Sequence, residues 1–462
     1  MAKKFYIATF GCRTNQADSA ALREDLLSRE FEETRECRQA DVIVVNSCTV
    51  THRSDQQVRQ LTRSLGRRNP TARLVVTGCY AQRDPSSLAR ITGVDAVVGN
   101  SHKGNIGSIV AAFECAEAHP PTHGEIAAIY RDDFRSVAAM EMTPATETGG
   151  RTRPFVKIQD GCDAKCTYCI IPYVRGPSRS VPPQIVLRQL AQLVENGFKE
   201  VVLTGIHMGS YGVHLKPRYS LDRLLGECVA VPGLERIRLS SLEPMQLSHR
   251  VIALAANCEK VAPHFHICLQ SGSDRILKKM FRPYKTSRFA QIVEEIRRCI
   301  PDAAIGTDVI AGFPGESEED HRQTVEFISR MPFTYLHVFP YSDRSGTAAS
   351  DMAEKVDSRT IKRRSGELRQ ISEDKNRAFR RRFLGRSLSV LTLSEKKDGM
   401  RTALSGNYLK AKLDPAMPSN QLVQARVVGE DPEGYQVLGC ACKTEATPLK
   451  NVPLDRFGSA TG

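Results

Sequence analysis

No apolar run in this sequence approaches the roughly 20 residues that a bilayer-spanning helix needs. The first residues, Met1-Ala2-Lys3-Lys4-Phe5-Tyr6, lead into a short strand and lack the apolar core of a secretory signal. Both absences point away from a membrane and towards a cytoplasmic, reducing compartment. There the 14 cysteines are thiols or metal ligands rather than disulfides. An acidic surplus is also missing: 65 lysines and arginines face 52 acids, a formal net charge of +13. That balance fits a polyanionic partner, most simply nucleic acid, and fits equally a soluble protein that is merely basic. With 462 residues, 25% charged and 41% apolar, the composition is that of an ordinary globular chain of two or three domains.

What is present centres on Asp160-Gly161-Cys162-Asp163-Ala164-Lys165-Cys166-Thr167-Tyr168-Cys169-Ile170-Ile171-Pro172. Three cysteines stand at C-x-x-x-C-x-x-C, and a fourth ligand is missing locally. A closed zinc site takes four protein ligands. A cubane iron–sulfur cluster held by three thiolates instead leaves one iron open to another molecule. The iron–sulfur reading is preferred to a zinc knuckle short of a ligand. The loop follows a strand-like run, Phe155 to Gln159, and the aromatic Tyr168 precedes its last cysteine.

Residues 1 to about 100 alternate strand, turn and helix. The strands are Phe5–Phe10, Asp41–Asn46 and Arg73–Thr77; the helices are Ala17–Arg29 and the basic Ser54–Arg68. Near-continuous β-branched runs between helices imply a parallel sheet covered on both faces. Cys12, Cys48 and Cys79 each stand just past the carboxyl end of a strand, where open α/β sheets bind ligands. Three thiols far apart in sequence are thus placed to converge, against the alternative of three separate buried cysteines. Gly93–Gly99 supplies a possible fourth strand and Lys103–Cys115 a helix, and His119-Pro120-Pro121 and the tract 142–153 read as linker.

From about 151 to 345 the strand–helix repeats lengthen. Strands are expected at 155–159, 200–204, 235–240, 264–269, 304–310 and 334–339, with helices at 183–196, 221–229, 247–257, 274–281, 288–299 and 318–330 between them. Six repeats suggest a partial parallel barrel, with the cysteine loop on its carboxyl-end rim. Polar and glycine residues cluster on that rim, among them Gly205, Ser241, Glu243, Gln270 and Asp308, and His207 is read as structural. Residues 357–386 form a basic helix, either a solvated face or a phosphate-binding one. Alternating runs at 388–392, 408–413, 422–428 and 435–438 fit a small antiparallel β-barrel. Cys440-Ala441-Cys442 is read as structural or incidental.

The Cys162 loop resembles the cluster-binding motif of radical S-adenosylmethionine (SAM) enzymes. With Gly11-Cys12-Arg13-Thr14-Asn15, Asn46-Ser47-Cys48-Thr49-Val50-Thr51 and Gly78-Cys79-Tyr80-Ala81-Gln82, the chain is similar over nearly its full length to the methylthiotransferase branch of that superfamily. The resemblance implies an α/β chain of four segments. These are a flavodoxin-like N-terminal domain (1–118), a radical SAM partial (β/α)6 barrel (148–356), a basic helical linker (357–384) and a TRAM-like domain (385–450). It implies that Cys12, Cys48 and Cys79 hold an auxiliary [4Fe-4S] cluster. Cys162, Cys166 and Cys169 would hold a second one, which binds SAM, with Tyr168 against the adenine. Gly205, Ser241, Glu243, Gln270 and Asp308 are candidates for the SAM cavity from rim placement. No side chain is assigned as a general base.

Within the family the word Thr204-Gly205-Ile206-His207-Met208-Gly209-Ser210-Tyr211-Gly212 resembles the type acting on N6-threonylcarbamoyladenosine (t6A) beside the tRNA anticodon. The isopentenyl-adenosine type carries a Gly-Gln-Asn-Val word there. Pro172 to Ser180 and Leu404-Ser405-Gly406-Asn407-Tyr408 also resemble the t6A type. The expectation is therefore a tRNA methylthiotransferase making 2-methylthio-t6A by radical chemistry. The alternatives are action on isopentenyl-adenosine or on a ribosomal-protein aspartate. Its partners would be the anticodon stem-loop, a low-potential electron donor and a sulfur source.

Overall fold

The structure, a computed structural model, describes residues 2–115, 126–134, 145–146 and 149–442. His119-Pro120-Pro121, part of the tract 142–153 and the side chains of Cys440 and Cys442 lie outside the described residues. The chain divides into two compact units, Met1–Arg381 and Arg382–Gly462.

The first unit opens with β1 (Lys4–Thr9), α1 (Arg13–Ser28), β2 (Glu32–Glu33), β3 (Val42–Ser47), α2 (His52–Arg68), β4 (Arg73–Gly78), α3 (Cys79–Arg83), α4 (Pro85–Ala89), β5 (Ala96–Gly99), α5 (Ile106–Cys115) and β6 (Ala128–Tyr130). The strands form one parallel sheet in the order β2-β1-β3-β4-β5-β6. β3 is buried at every position, so its Val42-Ile43-Val44-Val45 run serves both faces. One face packs Ile43, Val45, Val58, Leu65 and Val76; the other packs Phe5, Leu26, Val44, Val75 and Ile106. α1 starts four residues before the expected Ala17, directly after Cys12, because Gly11 turns the chain with φ 103°.

The second part of this unit holds β7 (Phe155–Lys157), β8 (Gln159–Asp160), α6 (Ile171–Arg175), β9 (Arg179–Ser180), α7 (Pro183–Glu195), β10 (Glu200–Thr204), α8 (Leu221–Val229), β11 (Arg236–Leu239) and β12 (Ser241–Leu242). It continues with α9 (His249–Asn257), β13 (His264–Ile267), α10 (Asp274–Lys279), α11 (Thr286–Cys299), β14 (Ala304–Ala311), α12 (Glu318–Arg330), β15 (Tyr335–Pro340) and α13 (Ser358–Arg381). All six expected barrel strands are present and pair in parallel: β11-β10-β7 form one arc and β12-β13-β14-β15 another. An Ile237–Val261 bridge lies between β11 and the segment leading into β13. α8 and α12 occupy the expected residues. The arcs close on a large apolar core that runs from Val156 through Leu203, Ile237, Phe265 and Ile305.

α13, expected as a linker, is packed. Leu368 joins the barrel core, Arg364 is buried against Glu316 at 2.7 Å, and Lys375 Nζ donates to the Met331 carbonyl at 2.8 Å.

The second unit is a closed barrel of β16 (Ser387–Lys397), β17 (Met400–Ser405), β18 (Lys410–Leu413), β19 (Leu422–Glu430) and β20 (Gln436–Cys442), in the order β16-β17-β18-β20-β19. Four of its five pairings are antiparallel, and β18 with β20 is parallel. β17 was not among the expected strands, since Arg401-Thr402-Ala403 has a weak alternation. Barrel closure buries Thr402 to Ser405 regardless.

Candidate active site

Strands β1, β3 and β4 run in register, with Phe5 beside Val42 and Val42 beside Arg73, so their carboxyl ends deliver Cys12, Cys48 and Cys79 to one edge. A Cβ on Gly11 would lie 2.9 Å from Cys48 Cβ and 3.1 Å from its Sγ, so Cys12 and Cys48 approach only because Gly11 has no side chain. Asn15 organises the group from the first turn of α1. Its Nδ2 donates to the carbonyls of Phe10 at 2.7 Å and Ser47 at 3.0 Å, which fixes the chain just before Cys12 and just before Cys48. Its Oδ1 stands 3.9 Å from the sulfurs of both Cys12 and Cys79. Burial pushes the Cys48 thiol up to about 12, and the neighbouring Cys79 and Cys12 push it the same way. The three N-terminal thiols thus form one group.

The second triad sits in the loop between β8 and β9, whose pairing closes its base. Cys162 N–H donates to the Gly176 carbonyl at 3.0 Å and Cys169 N–H to the Cys166 carbonyl at 3.1 Å, which curls the loop. Thr167 fastens the loop: its N–H donates to Met280 at 3.1 Å, and its carbonyl accepts from Ala349 N–H at 2.8 Å. Arg282 Nη1 donates to Cys166 Sγ at 3.3 Å, while its Nη2 pairs with Glu243. His207 Nδ1 lies 3.4 Å from Cys162 Sγ. Burial raises Cys162 to about 11 and Cys169 to about 12, and it depresses His207, which keeps that imidazole neutral.

The two triads are neighbours. Cys79 packs on Ile170 and Val174, the residues just beyond the second triad, and Asn100 Nδ2 donates to the Val174 carbonyl at 2.8 Å and to Cys79 Sγ at 3.6 Å. A cavity of about 220 Å³ opens beside them. Val50 and Thr51, which follow Cys48, line one wall; Tyr168, Gln270, Asp308 and Phe339 line others. Tyr168 is wedged among Ile276, Met280, Ile310 and Phe313. Asp308 accepts from His266 Nε2 at 2.8 Å and lies 3.3 Å from His337 Nδ1, and Cys268 Sγ donates to its other oxygen at 3.3 Å. Burial opposes the Asp308 charge, but these imidazoles outweigh it and hold the carboxyl well below its usual range.

Of the rim residues expected from sequence, Tyr168, Gln270 and Asp308 line this cavity. Glu243 reaches the cysteine loop through Arg282. Gly205 backs onto Gln159 and Met208, and Ser241 is exposed on β12. His207, read as structural, contacts Cys162. Arg282 and Asn15 were missed as contacts; Arg282 sits in no recognisable motif, whereas Asn15 stands three residues after Cys12.

Residues 4–99 match the model described as "Uncharacterized protein family UPF0004", and residues 156–328 match the Radical SAM superfamily. The chain is 39% identical to the threonylcarbamoyladenosine tRNA methylthiotransferase MtaB of Aquifex aeolicus, over 92% of this chain and 100% of that one. The chain belongs to the radical SAM methylthiotransferase family. The enzyme of the same name from Bacillus subtilis is 36% identical over 87% of this methylthiotransferase and 88% of its own length. A tRNA-2-methylthio-N(6)-dimethylallyladenosine synthase of Thermobifida fusca is 35% identical over 87% and 81%. Among solved structures, the radical SAM methyltransferase TsrM of Kitasatospora setae superposes with a TM-score of 0.56 at 15% identity, covering 76% of this chain and 77% of that one, a likeness of fold alone. No described helix of this family member is long and apolar enough to cross a membrane.

Proposed function

We propose that this protein converts t6A, next to the anticodon of tRNA in the cytoplasm, to its 2-methylthio form. The observation that carries the proposal is the meeting of two thiol triads beside one cavity. The named relatives of Aquifex and Bacillus supply the substrate. Soft sulfur donors gathered in threes suit iron–sulfur clusters. Cys12, Cys48 and Cys79 would hold an auxiliary [4Fe-4S] cluster, and Cys162, Cys166 and Cys169 the one that binds SAM. When bound, the clusters and SAM supply the radical that removes the adenine C2 hydrogen and the methylthio group that replaces it.

The side chains bind, orient and shield. Tyr168 offers a flat face in an apolar wedge for the adenine of SAM. Gln270 and Asp308 supply polar contacts inside the cavity, with Gly205, Ser241 and Glu243 as further candidates on the rim. Asp308 stays ionised because His266 and His337 hold it. Arg282 keeps a positive charge beside Cys166. No general base is needed, because adenine C2–H is not acidic. A low-potential electron donor and a sulfur source complete the partners.

Mass spectrometry of tRNA nucleosides from a deletion strain tests the reading. Loss of 2-methylthio-t6A with t6A retained supports it, and persistence of 2-methylthio-t6A overturns it. Loss of the methylthio form of isopentenyl-adenosine instead would assign the substrate of the Thermobifida relative.

A further inference from the structure

Between the two thiol triads lies a buried group of five charges. Arg175, 1% exposed at the end of α6, donates through Nη1 to both oxygens of Asp160, at 2.8 and 2.9 Å. Its Nη2 donates to Asp18 at 3.0 Å and to Asn15 Oδ1. Lys157 joins Asp18 and also Asp160, at 3.2 Å, and Lys103 reaches Asp18 at 2.5 Å. Asp18 and Asn15 belong to α1, in the sheet domain that carries Cys12, Cys48 and Cys79. Asp160 belongs to β8, and its Oδ1 accepts from the Gly161 N–H at 2.9 Å, one residue before Cys162.

Two features of this group exceed what is needed to join two domains. It is continuous: Cys12 and Cys79 meet Asn15 Oδ1, Asn15 meets Arg175, Arg175 meets Asp160, and Asp160 holds the turn into Cys162. It is also unbalanced, with three cations against two carboxylates. Burying an unmatched charge is costly unless a counter-charge stands nearby. Burial opposes the Arg175 charge; Asp160, Cys79, Asp18 and Cys12 outweigh it, which puts the N-terminal thiols within electrostatic reach of the guanidinium. A cubane held by three thiolates carries net negative charge and is the matching counter-ion.

We propose that Arg175 is a positioning residue that couples the two triads, holding them in fixed register through Asn15 and Asp160 and setting a surplus positive charge beside Cys12 and Cys79. This rests on the assignment of the N-terminal thiols to an iron–sulfur cluster. The surplus charge stabilises that cluster's more negative, reduced state and so raises its midpoint potential. The fork geometry is a separate requirement, because lysine keeps the charge but cannot bond Asp160, Asp18 and Asn15 together.

The test uses the full chain, reconstituted anaerobically, with Cys162, Cys166 and Cys169 replaced by Ala so that only the N-terminal cluster is loaded. Its midpoint is read by redox titration followed by electron paramagnetic resonance. Arg175→Gln and Lys103→Met are each expected to move the midpoint to more negative values, and Arg175→Lys to leave it near the parent value. Lys103→Met keeps every contact of Arg175 and carries the charge test if Arg175→Gln does not fold. In the chain with all six cysteines, Arg175→Lys is expected to lower methylthio product per deoxyadenosine formed by roughly tenfold, the scale of a small misplacement of reacting groups. Unchanged midpoints in the charge variants, or an unchanged product ratio in Arg175→Lys, overturn the proposal. A parent protein that takes up no iron at the N-terminal thiols overturns the cluster assignment instead.

Discussion

Arg344 Nη1 reaches Asp55 Oδ2 at 2.6 Å, joining the segment after the last barrel strand to the helix that follows Cys48. Both side chains are buried, and Asp55 also accepts from Arg83 at 2.8 Å and Thr49 Oγ1 at 2.6 Å. Arg344 Nε further donates to the Val50 carbonyl at 3.3 Å, and His52 N–H to Ser342 Oγ at 3.1 Å. The loop that carries Cys48 is therefore clamped to the barrel where it borders the cavity.

Removing each partner of this clamp has a different cost. Asp55→Ala takes the carboxylate from the buried Arg344 and the half-buried Arg83, and the expected loss is about 4 kcal/mol. Arg344→Met leaves Asp55 with Arg83 and Thr49, and the expected loss is about 2 kcal/mol. Chemical denaturation of the iron-free protein checks the order, and equal losses would show that Arg344 and Arg83 are not interchangeable partners.

The two triads are expected to divide the chemistry. Replacing Cys162, Cys166 and Cys169 with Ala abolishes deoxyadenosine formation from SAM under a strong reductant. Replacing Cys12, Cys48 and Cys79 leaves SAM cleavage and stops methylthio product. Iron analysis accompanies both: two cubanes give roughly eight irons per chain, and each triple variant roughly half of that. A methylthio product from the N-terminal variant contradicts the assignment.

The strands and the cysteines were legible in the sequence because both are local signals. Val42-Ile43-Val44-Val45 announces a strand buried on both faces, and Gly11, Ser47 and Gly78 mark where each strand gives way to a cysteine. Contacts between remote segments carry no such mark. Arg175 lay within a recognised word, but nothing near it in the chain names Asn15 or Asp18 as its partners. The contact of His207 with Cys162 depends on how β10 lies beside β7, a tertiary fact. α13 read as a free basic helix because its charges dominate the pattern, while the few residues that pack it, Arg364, Leu368 and Phe379, are sparse.

Acid sensitivity has a traceable source in Glu200. Burial disfavours its charge, but Arg238 at 3.1 Å, Arg236 at 3.3 Å and Arg153 at 3.7 Å outweigh that and hold its carboxyl below the usual value. A depressed carboxylate contributes its full stability above the unfolded-state pKa of about 4.3, and the contribution fades as pH falls towards the folded value. The melting temperature of the iron-free protein should therefore drop on acidification below about pH 4.3, and less steeply in Glu200→Gln. Parallel slopes would assign the acid lability to other carboxylates.

The exposed basic surface of α13 is narrower than its composition suggests. Arg363 pairs with Glu318, Arg364 with Glu316 and Arg377 with Asp374, so their charges are already engaged. Arg359, Lys362 and Arg369 are exposed. Phosphate neutralisation makes log affinity fall with log salt, by close to one unit of slope per phosphate contact. Replacing Lys362 and Arg369 with Gln should weaken tRNA binding alike for all sequences and make the salt dependence shallower by about two units. The same pair of changes at Arg363 and Arg377 should alter the slope little, because these charges already face acids, Glu318 of α12 and Asp374 of α13. Equal effects from the two pairs would show that net charge, rather than these particular side chains, draws the RNA to this face.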